Sequence, residues 1–579
     1  MRSRVLALIT LALVACAPTK PATTQPAPDA TTPSAANPAP GQAQSPHLDY
    51  RITVDASNAT ITVLARAWLA PRSKPTWNLT KAPGVTETSR REFQSQSDGA
   101  SAIELNLACS VGDFEDLSGV GIAPDRVRAS LRAILPVPDA LNASASASAS
   151  ASASASASAS RFPVTLQVTE RNAKFPIVTS LDIANESPNH PALSAELIRH
   201  IAILGGQIGN ADFQFRTQRD RVAWQGELNF DPRPVAGDIA FIRSTVADYF
   251  HIAKPRPFTL LLSATLIQQG EFKLAPITGG LLLDTSAGAK WTDRLRLAIT
   301  KALVNDYLGA TLRLGDPATT TTTTTTTTAS MWFDHGVARY IAREALYSVG
   351  ALTRAEYAAE LNRIAATLAT SPLRSRKNSE LPSTASAQEL AEARGALHAA
   401  WIDASALKAS KRTRGLRDII TALSQRAANA TANAAGRGPL PTSAWLEEAT
   451  RALGTPAAAP VFEAQITNGS ATTLAPNTFG PCFTSVNERF HDIDRGFDVT
   501  TAPALVTDLR ADSPAAKAGV VNGDEVLQLR TNTLTSPPTV EATLRRAGQS
   551  VQVKFVPSAV KANGQGWRAT AVKDEECGR

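Results

Sequence analysis

Histidine and cysteine are scarce in this chain of 579 residues, which contains seven His and four Cys. Few side chains are therefore available for metal or nucleophilic chemistry. His335 is predicted to be a partly buried histidine that binds no metal, and the alternative is a carboxylate-rich metal site that it forms with Asp306 and Glu344. The sequence contains no Gly-x-Ser-x-Gly segment and no glycine-rich phosphate loop, so it offers no motif for serine hydrolysis or nucleotide binding.

A second group of residues, near the C-terminus, is suited to binding peptides. Residues 512–520 read DSPAAKAGV and residues 522–527 read NGDEVL. Pro514 favours the start of a short helix, Gly519 favours its end, and the Gly-Asp pair that follows favours a turn into a strand. This pattern resembles the signature of PDZ domains and predicts such a domain over residues 475–577.

The loop that would capture the peptide in such a domain is Arg495-Gly496-Phe497. In PDZ domains the backbone amides of this loop bind the carboxylate of a chain terminus, while the peptide adds a strand to the edge of the sheet. The resemblance therefore implies a peptide or protein C-terminus as partner. The alternative is a structural PDZ domain that binds no peptide.

The middle of the chain resembles the glycyl aminopeptidase family. Residues 331–340 read MWFDHGVARY and resemble that family's WFxEGxTxYY segment. Residues 279–281, 346–361, 394–403 and 415–420 resemble other segments of the family in the same order. The family consists of gluzincin zinc metallopeptidases with a β-rich N-terminal domain, a thermolysin-like domain and a C-terminal PDZ domain.

The catalytic residues of that family are not present in this chain. Zinc would be held by an HExxH motif, whose i, i+4 spacing places both His on one face of a helix while the Glu activates a water. No HExxH occurs in the sequence. Thr300, Lys301 and Val304 stand at the positions of the first His, the Glu and the second His, and Lys301 would repel a dication.

The remaining functional positions of the family are also altered. His335 stands where the third zinc ligand, a Glu, would lie, and Leu282 stands at the Glu of the GGLEH segment. Glu392 lies near the position of a tyrosine that stabilises an oxyanion in such enzymes. The resemblance thus implies zinc, whereas the residues predict no cofactor and an inactive relative.

The periodicity of the sequence predicts a multidomain α+β chain with three folded regions. Residues 47–178 are predicted to form a β-sandwich-like domain that carries an Ala-Ser repeat loop at 143–160. Residues 179–470 are predicted to form the thermolysin-like, mostly helical domain, with a threonine tract at 319–328. Residues 475–577 are the predicted PDZ domain.

Particular elements follow from shorter patterns. Alternating apolar residues over 48–54 predict a strand, and the apolar run at 258–266 predicts a buried strand. Apolar residues at helical spacing over 239–250 predict a helix. A capping box formed by Thr353 and Glu356 predicts the start of another helix. A short helix is expected near Pro538–Arg546.

The first sixteen residues predict where in the cell the protein is located. Arg2 and Arg4 precede an apolar run of eleven residues, Val5 to Ala15, which suits a signal peptide and is too short to span a bilayer. Cys16 ends a segment that resembles a bacterial lipobox, so it is predicted to carry the lipid anchor. Ala17 resembles sorting to the outer membrane, with the protein facing the periplasm. An ordinary secretory signal is the alternative.

Composition supports this address and excludes some partners. Residues 17–46 are rich in Pro, Thr and Ala and predict an extended tether. The net charge of +7 is small for the length and is not clustered, so nucleic-acid binding has no support. In an oxidising periplasm Cys482 and Cys577 would form a disulfide, the alternative being two free thiols. Cys109 is then left over and is predicted to be a buried small hydrophobe.

These observations predict an outer-membrane-anchored periplasmic lipoprotein that resembles glycyl aminopeptidases but does not catalyse. Its expected activity is the binding of peptides or protein partners through the PDZ domain. One alternative is an active metallopeptidase with non-standard zinc ligands. A second alternative is a structural envelope lipoprotein whose PDZ domain is inert.

Overall fold

The part of the chain that the structure describes begins at His47. The computed structural model describes residues 47–68, 76–79, 85–94, 100–109, 119–138, 162–182, 192–265, 271–286, 288–310, 312–315, 330–433, 440–470, 473–500, 504–532, 535–573 and 577. Cys16, the tether, the Ala-Ser loop and the threonine tract lie outside these residues. No helix within the described part is long and apolar enough to cross a membrane.

Two sheets and a two-stranded pair form the N-terminal β-rich region. The larger sheet has the strand order β11-β9-β1-β2-β5-β4, the smaller has the order β10-β12-β7-β6, and β3 pairs with β8. The strands are β1 His47–Asp55, β2 Thr60–Trp68, β3 Trp77–Asn78, β4 Val85–Gln94, β5 Ser101–Cys109, β6 Val120–Ala123, β7 Arg126–Ser130, β8 Val137–Pro138, β9 Phe162–Glu170, β10 Ile177–Thr179, β11 Ala192–Leu193 and β12 Ala202–Gly205. A short helix, α1, spans Ala195–Arg199.

The core between these sheets explains the alternating sequence of β1. Leu48, Tyr50, Ile52 and Val54 are buried, and they share one hydrophobic core with residues of the smaller sheet such as Ile122. The predicted strand is therefore confirmed. The region extends beyond residue 178 because β12 pairs with β7.

The middle region consists of a five-stranded mixed sheet followed by helices. The sheet has the order β13-β14-β15-β17-β16, in which β15 runs parallel to both of its neighbours. Its strands are β13 Ile208–Phe215, β14 Gln218–Gln225, β15 Phe258–Thr265, β16 Phe272–Ile277 and β17 Gly280–Ser286. The helices are α2 Pro232–Tyr249, α3 Asp293–Ala310, α4 Ala338–Ser348, α5 Arg354–Thr370, α6 Ala385–Ala409, α7 Leu416–Asn433, α8 Thr442–Leu453 and α9 Ala458–Phe462.

Local sequence signals explain where several of these helices begin. The side chain of Asp231 accepts a hydrogen bond from the amide of Arg233 at the start of α2, where a proline occupies the first turn. Thr353 and Glu356 form the predicted capping box at the start of α5. The predictions of the α2 helix, the β15 strand and the capping box are confirmed.

The C-terminal region is built mainly from strands. A long antiparallel ribbon of β18 Phe483–Asp494 and β24 Ser558–Ala569 leads to the short pair β19 Asp498–Val499 and β20 Val506–Thr507. A four-residue helix, α10 Pro514–Lys517, then precedes the antiparallel sheet of β21 Glu525–Asn532, β22 Thr539–Arg546 and β23 Gln549–Phe555.

The helix expected near Pro538–Arg546 is wrong, because this segment forms β22. Val540, Ala542 and Leu544 are buried and alternate with more exposed residues, which is the period of a strand with one face toward a core. The short apolar pattern suits either element, and pairing on both sides with β21 and β23 decides it.

A disulfide closes the C-terminal region, and polar contacts join the regions to one another. Cys482 and Cys577 form the disulfide. Asn362 of α5 accepts a hydrogen bond from the amide of Trp567 at 2.7 Å. A fully buried ion pair joins Arg128 of β7 to Asp284 of β17 at 3.3 Å, and burial, opposed by the charge of Arg128, raises the pKa of Asp284 to about 6.

Candidate functional site

The residues that the resemblance assigns to the zinc-site positions come from α3 and from a π-helical turn. Thr300, Lys301 and Val304 lie on α3, and His335 lies on the turn Trp332–Val337 that leads into α4. Asn305 of α3 lies next to His335, with 2.9 Å between its Nδ2 and the histidine Nδ1. Such π-helical turns change the direction of side chains and are frequent at functional sites.

Two glycines bring the helix α6 against this turn. A Cβ atom on Gly395 of α6 would lie 1.8 Å from the carbonyl oxygen of Trp332, and a Cβ on Gly336 would lie 2.6 Å from that of Glu392. Only glycine permits this approach, because both distances are far inside van der Waals contact. The close approach places Glu392 beside the zinc-site positions.

Lys301 is engaged in a salt bridge with Glu392. Its ammonium nitrogen lies 2.9 and 3.1 Å from the two carboxylate oxygens. Arg339 approaches the same carboxylate at 3.3 Å. The residue that the resemblance aligns with the general base is thus a cation, which cannot accept a proton from water while it remains charged.

The salt bridge continues as a chain of charges through four helices. Arg339 of α4 donates to Glu360 of α5 at 2.6 Å, Arg363 donates to Glu360 at 2.7 Å, and Arg363 lies 3.1 Å from Asp293 at the start of α3. Glu360 is almost fully buried between its two arginines, and their charges and hydrogen bonds lower its pKa against the effect of burial. We call the residues from Lys301 to Asp293 the charge chain.

The two other residues that the resemblance aligns with the zinc motif are engaged in their own surroundings. The hydroxyl of Thr300 donates to the carbonyl of Arg296 at 2.7 Å, which is a bond within its own helix. Val304 is fully buried in the core of the helical region. Leu282, at the position of the GGLEH glutamate, is likewise fully buried in β17.

The surroundings of His335 favour the neutral form of its imidazole. Burial lowers its pKa, the charge of Lys301 lowers it further, and Glu392 acts in the opposite direction. Its neighbour Asp334 is partly buried, and desolvation raises the pKa of that carboxyl to about 7. The hydrogen bond from Ser330 opposes this rise.

The structure does not bring His335, Asp306 and Glu344 together as a metal site. Glu344 accepts hydrogen bonds from Tyr357 and from Arg343. Burial raises the pKa of Asp306, and the nearby charges of two arginines, Arg256 and Arg243, oppose this rise. No group of three or more His, Cys, Asp or Glu side chains that could hold a metal ion occurs in the part of the chain that the structure covers.

Sequence reasoning missed the surroundings of a second histidine. His398 of α6 is fully buried, its Nδ1 lies 2.9 Å from the side-chain oxygen of Gln465, and the indole N–H of Trp445 points to its Nε2 at 3.4 Å. Trp332 packs edge-on against the ring. Burial, partly opposed by the bond to Gln465, lowers the pKa of His398 to about 4. The only sequence signal was its place in the segment 394–403.

The predicted carboxylate-binding loop has its central amide already engaged. Gly496 has a φ of +90°, and its N–H donates to the carboxylate of Asp494 at 2.9 Å. Arg510 forms an ion pair with the same carboxylate. Phe497 is buried in the core of the C-terminal region, whereas Arg495 is exposed. The three residues therefore form a turn in which the carboxylate of Asp494 already binds the amide of Gly496.

The cysteines fall into two classes. Cys482 and Cys577 are bonded to each other, with 5.3 Å between their Cα atoms. Cys109 is a free, buried thiol at the end of β5. Burial raises its pKa to about 11, so it stays protonated and packs as a small hydrophobe.

Comparison with known proteins identifies the fold. No protein-family model matches the chain, and no curated protein matches it. Among solved structures, an aminopeptidase N family protein from Idiomarina loihiensis is similar with a TM-score of 0.57 and 12% identity, over 90% of this chain and 98% of that chain. The chain has an aminopeptidase N fold.

A second solved structure belongs to the same broad group. It is the M1 zinc metallopeptidase from Deinococcus radiodurans, with a TM-score of 0.46 and 16% identity, over 74% of this chain and 95% of that chain. The β-rich N-terminal region and the helical middle region of this chain are the parts that agree with an aminopeptidase N fold. Within that fold, Lys301, His335 and Glu392 are brought together by the structure, while Thr300 and Val304 face other partners.

Proposed function

We propose that this chain uses an aminopeptidase N fold for binding and does not cleave peptides with zinc. The observation that carries the proposal is the salt bridge from Lys301 to Glu392 at the position of the catalytic base. An ammonium group there disfavours a dication by charge, and Thr300 and Val304 supply no ligands to offset the repulsion.

The proposed address is the periplasmic face of the outer membrane. It rests on the lipobox-like segment that ends at Cys16 and on the proline-rich residues 17–46. Two or three acyl chains on that cysteine would anchor the protein firmly. The proposed partners are the lipid bilayer at the N-terminus and a peptide or protein terminus at the C-terminal region, whose signature resembles a PDZ domain.

Zinc analysis tests the absence of metal catalysis. The chain without residues 1–16 is incubated with zinc and dialysed, and its metal content is measured beside cleavage of a broad peptide library with and without a chelator. We expect no stoichiometric zinc and no chelator-sensitive cleavage. Stoichiometric zinc together with chelator-sensitive cleavage would refute the proposal.

A pair of variants tests the alternative with non-standard ligands. His335→Ala removes the one histidine at the centre of the site, and His491→Ala removes an exposed histidine on β18. If His335 holds a functional metal, only the first variant loses zinc and activity. We expect the zinc content and the peptide cleavage of both variants to equal those of the parent chain.

Peptide binding separates the proposal from an inert C-terminal region. A library of C-terminal peptides is applied to the intact chain and to Gly496→Glu. A Cβ on Gly496 would lie 2.4 Å from the Cβ of Ser513, so this substitution distorts the loop. We expect binding that the variant loses, and an absence of binding to either protein would favour the inert alternative.

A further inference from the structure

A peptide that adds a strand to the C-terminal region beside the Arg495–Phe497 loop would pair with the edge of β19. A segment of the middle region already lies against this edge. Thr384, the residue that caps the start of α6, forms an antiparallel β-bridge with Thr500 immediately after β19. Thr384 is fully buried by this contact and its surroundings. Its hydroxyl donates to the carboxylate of Asp498 at 2.6 Å, and the hydroxyl of Ser386 donates to the same oxygen.

Both carboxylate oxygens of Asp498 therefore already accept hydrogen bonds from groups of this chain. One of its oxygens accepts the two hydroxyls from α6, and the other accepts the amide of Val499 at 2.8 Å. A negative charge at the start of the 25-residue helix α6 is favourable, because it faces the positive end of the helix dipole. The contact thus stabilises both elements.

We propose that residues 384–386 occupy the peptide edge of β19 as an internal ligand, which holds the proposed binding site closed. This inference rests on the proposed function, since it assigns the regulation of the same site. A strand edge offers each backbone group to one partner, so an incoming peptide cannot pair there while Thr384 is bridged to Thr500. Binding therefore requires α6 to release β19.

The internal ligand also indicates the chemistry of an external one. Thr384 and Ser386 present two hydroxyl donors to Asp498, with one residue between them. The favoured ligand is an extended segment with Ser or Thr at alternate positions.

The test compares peptide binding to closed and opened forms of the chain. Thr384→Asp with Ser386→Ala opposes a carboxylate to Asp498 and keeps a good capping residue at the start of α6. Ser194→Asp is the matched control, because Ser194 caps α1 in the N-terminal region. The probe is a fluorescent, acetylated and amidated peptide with the sequence of residues 381–388, beside the same peptide with alanine at both hydroxyl positions.

We expect the double variant to bind the hydroxyl-bearing peptide at least ten times more tightly than the parent chain or Ser194→Asp. The affinity for the alanine peptide should be the same in all of these proteins. Adding Asp498→Ala to the double variant should abolish its higher affinity for the hydroxyl-bearing peptide. Ser386→Ala alone keeps the capping residue and should give a smaller change in the same direction. Equal affinity of parent chain and double variant would overturn the internal ligand.

Hydrogen exchange separates failure of this inference from failure of the proposed function. Amides around Thr384 and Thr500 should exchange faster in the double variant, while amides of β1 should not change. Faster exchange without any peptide binding would leave the closed contact established and would refute the peptide-binding function. Unchanged exchange at both positions would refute the closed contact itself.

Discussion

At the scale of single residues, charge holds the centre of the site together. Lys301 and Arg339 join α3 and α4 to Glu392 of α6. The three side chains are partly buried, so the attraction is screened less than at the surface, and the loss of one partner leaves a charge with less compensation. The salt bridges therefore act as a cross-link between three helices.

The buried imidazole of His398 predicts a dependence of stability on pH. Its folded pKa of about 4 lies below the ordinary value of 6.5, so between these values the unfolded chain binds a proton that the folded chain excludes. Stability is fully present above pH 6.5 and falls as the pH falls toward 4. The difference corresponds to about 3 kcal/mol.

His398→Gln should remove this contribution. Between pH 7.5 and pH 4, we expect the free energy of unfolding of the variant to fall by about 3 kcal/mol less than that of the parent chain. Urea unfolding followed by tryptophan fluorescence measures this difference. His491→Gln, at an exposed histidine of β18, is the control and should keep the dependence of the parent chain. A parallel pH response of all three proteins would contradict the buried, neutral state of His398.

The residue scale is also where sequence reasoning reached least far. The resemblance placed Lys301, His335 and Glu392 at related positions, and the structure brings them together. The charge chain beyond Glu392 was not predicted, because Arg339 and Glu360 lie on different helices and no local spacing joins them. Only the pair Glu360 and Arg363, three residues apart on α5, is visible in the sequence.

At the scale of elements, the contact between α6 and the π-helical turn determines the shape of the site. Gly395 touches the backbone of Trp332 with no room for a methyl group. The two elements pack through backbone atoms at this point, so the position of Glu392 follows from the contact. A substitution at Gly395 should therefore disturb the packing of the two elements more than their electrostatic interactions.

Gly395→Ala should lower the stability of the helical region. Alanine favours a helix over glycine by about 1 kcal/mol, but the clash with Trp332 should outweigh this gain by about 1–3 kcal/mol. Gly237→Ala is the matched control, because Gly237 lies inside α2 and its Cβ would meet only a side-chain carbon of Phe213 at 3.8 Å. The control should be stabilised by up to about 1 kcal/mol.

Urea midpoints followed by tryptophan fluorescence check this pair. Trp332 and Trp445 lie in the affected core and report directly on its packing. If both glycine variants gained stability equally, the close approach of α6 to the turn would be wrong.

Elements were predictable where a local signal was strong. The capping box at Thr353 and the alternation of β1 reflect bonds and burial within short stretches, and both predictions are confirmed. The segment 539–546 was mistaken for a helix because its pairing with β21 and β23 depends on distant residues. The π-helical turn at Trp332–Val337 has no sequence signature of its own.

At the scale of the whole molecule, the disulfide closes the C-terminal region on itself. Cys482 and Cys577 are 95 residues apart, and both lie in the core shared with the helical region. In the chain-entropy model, closing a loop of this length stabilises the folded state by about 4–5 kcal/mol. The sequence indicated the pair through the position of the two cysteines at either end of the predicted C-terminal domain and through the predicted oxidising compartment.

Reduction should therefore destabilise the C-terminal region. We expect dithiothreitol to lower the thermal midpoint of the parent chain to that of Cys482→Ala with Cys577→Ala, and to leave this double variant unchanged. Cys109→Ala, which removes the buried free thiol, should remain as sensitive as the parent chain. A parent chain insensitive to the reductant would show that the bond contributes nothing to stability.

The charge chain has a consequence for any substitution at Lys301. A neutral or acidic residue there would leave Glu392 with Arg339 as its remaining partner from the chain. Removing one partner of a fully buried pair costs about 3–5 kcal/mol, and the cost here is smaller because 30% of the Lys301 side chain is exposed. On the proposed alignment with a zinc motif, a metal ligand set could therefore be built at this place only through less stable intermediates.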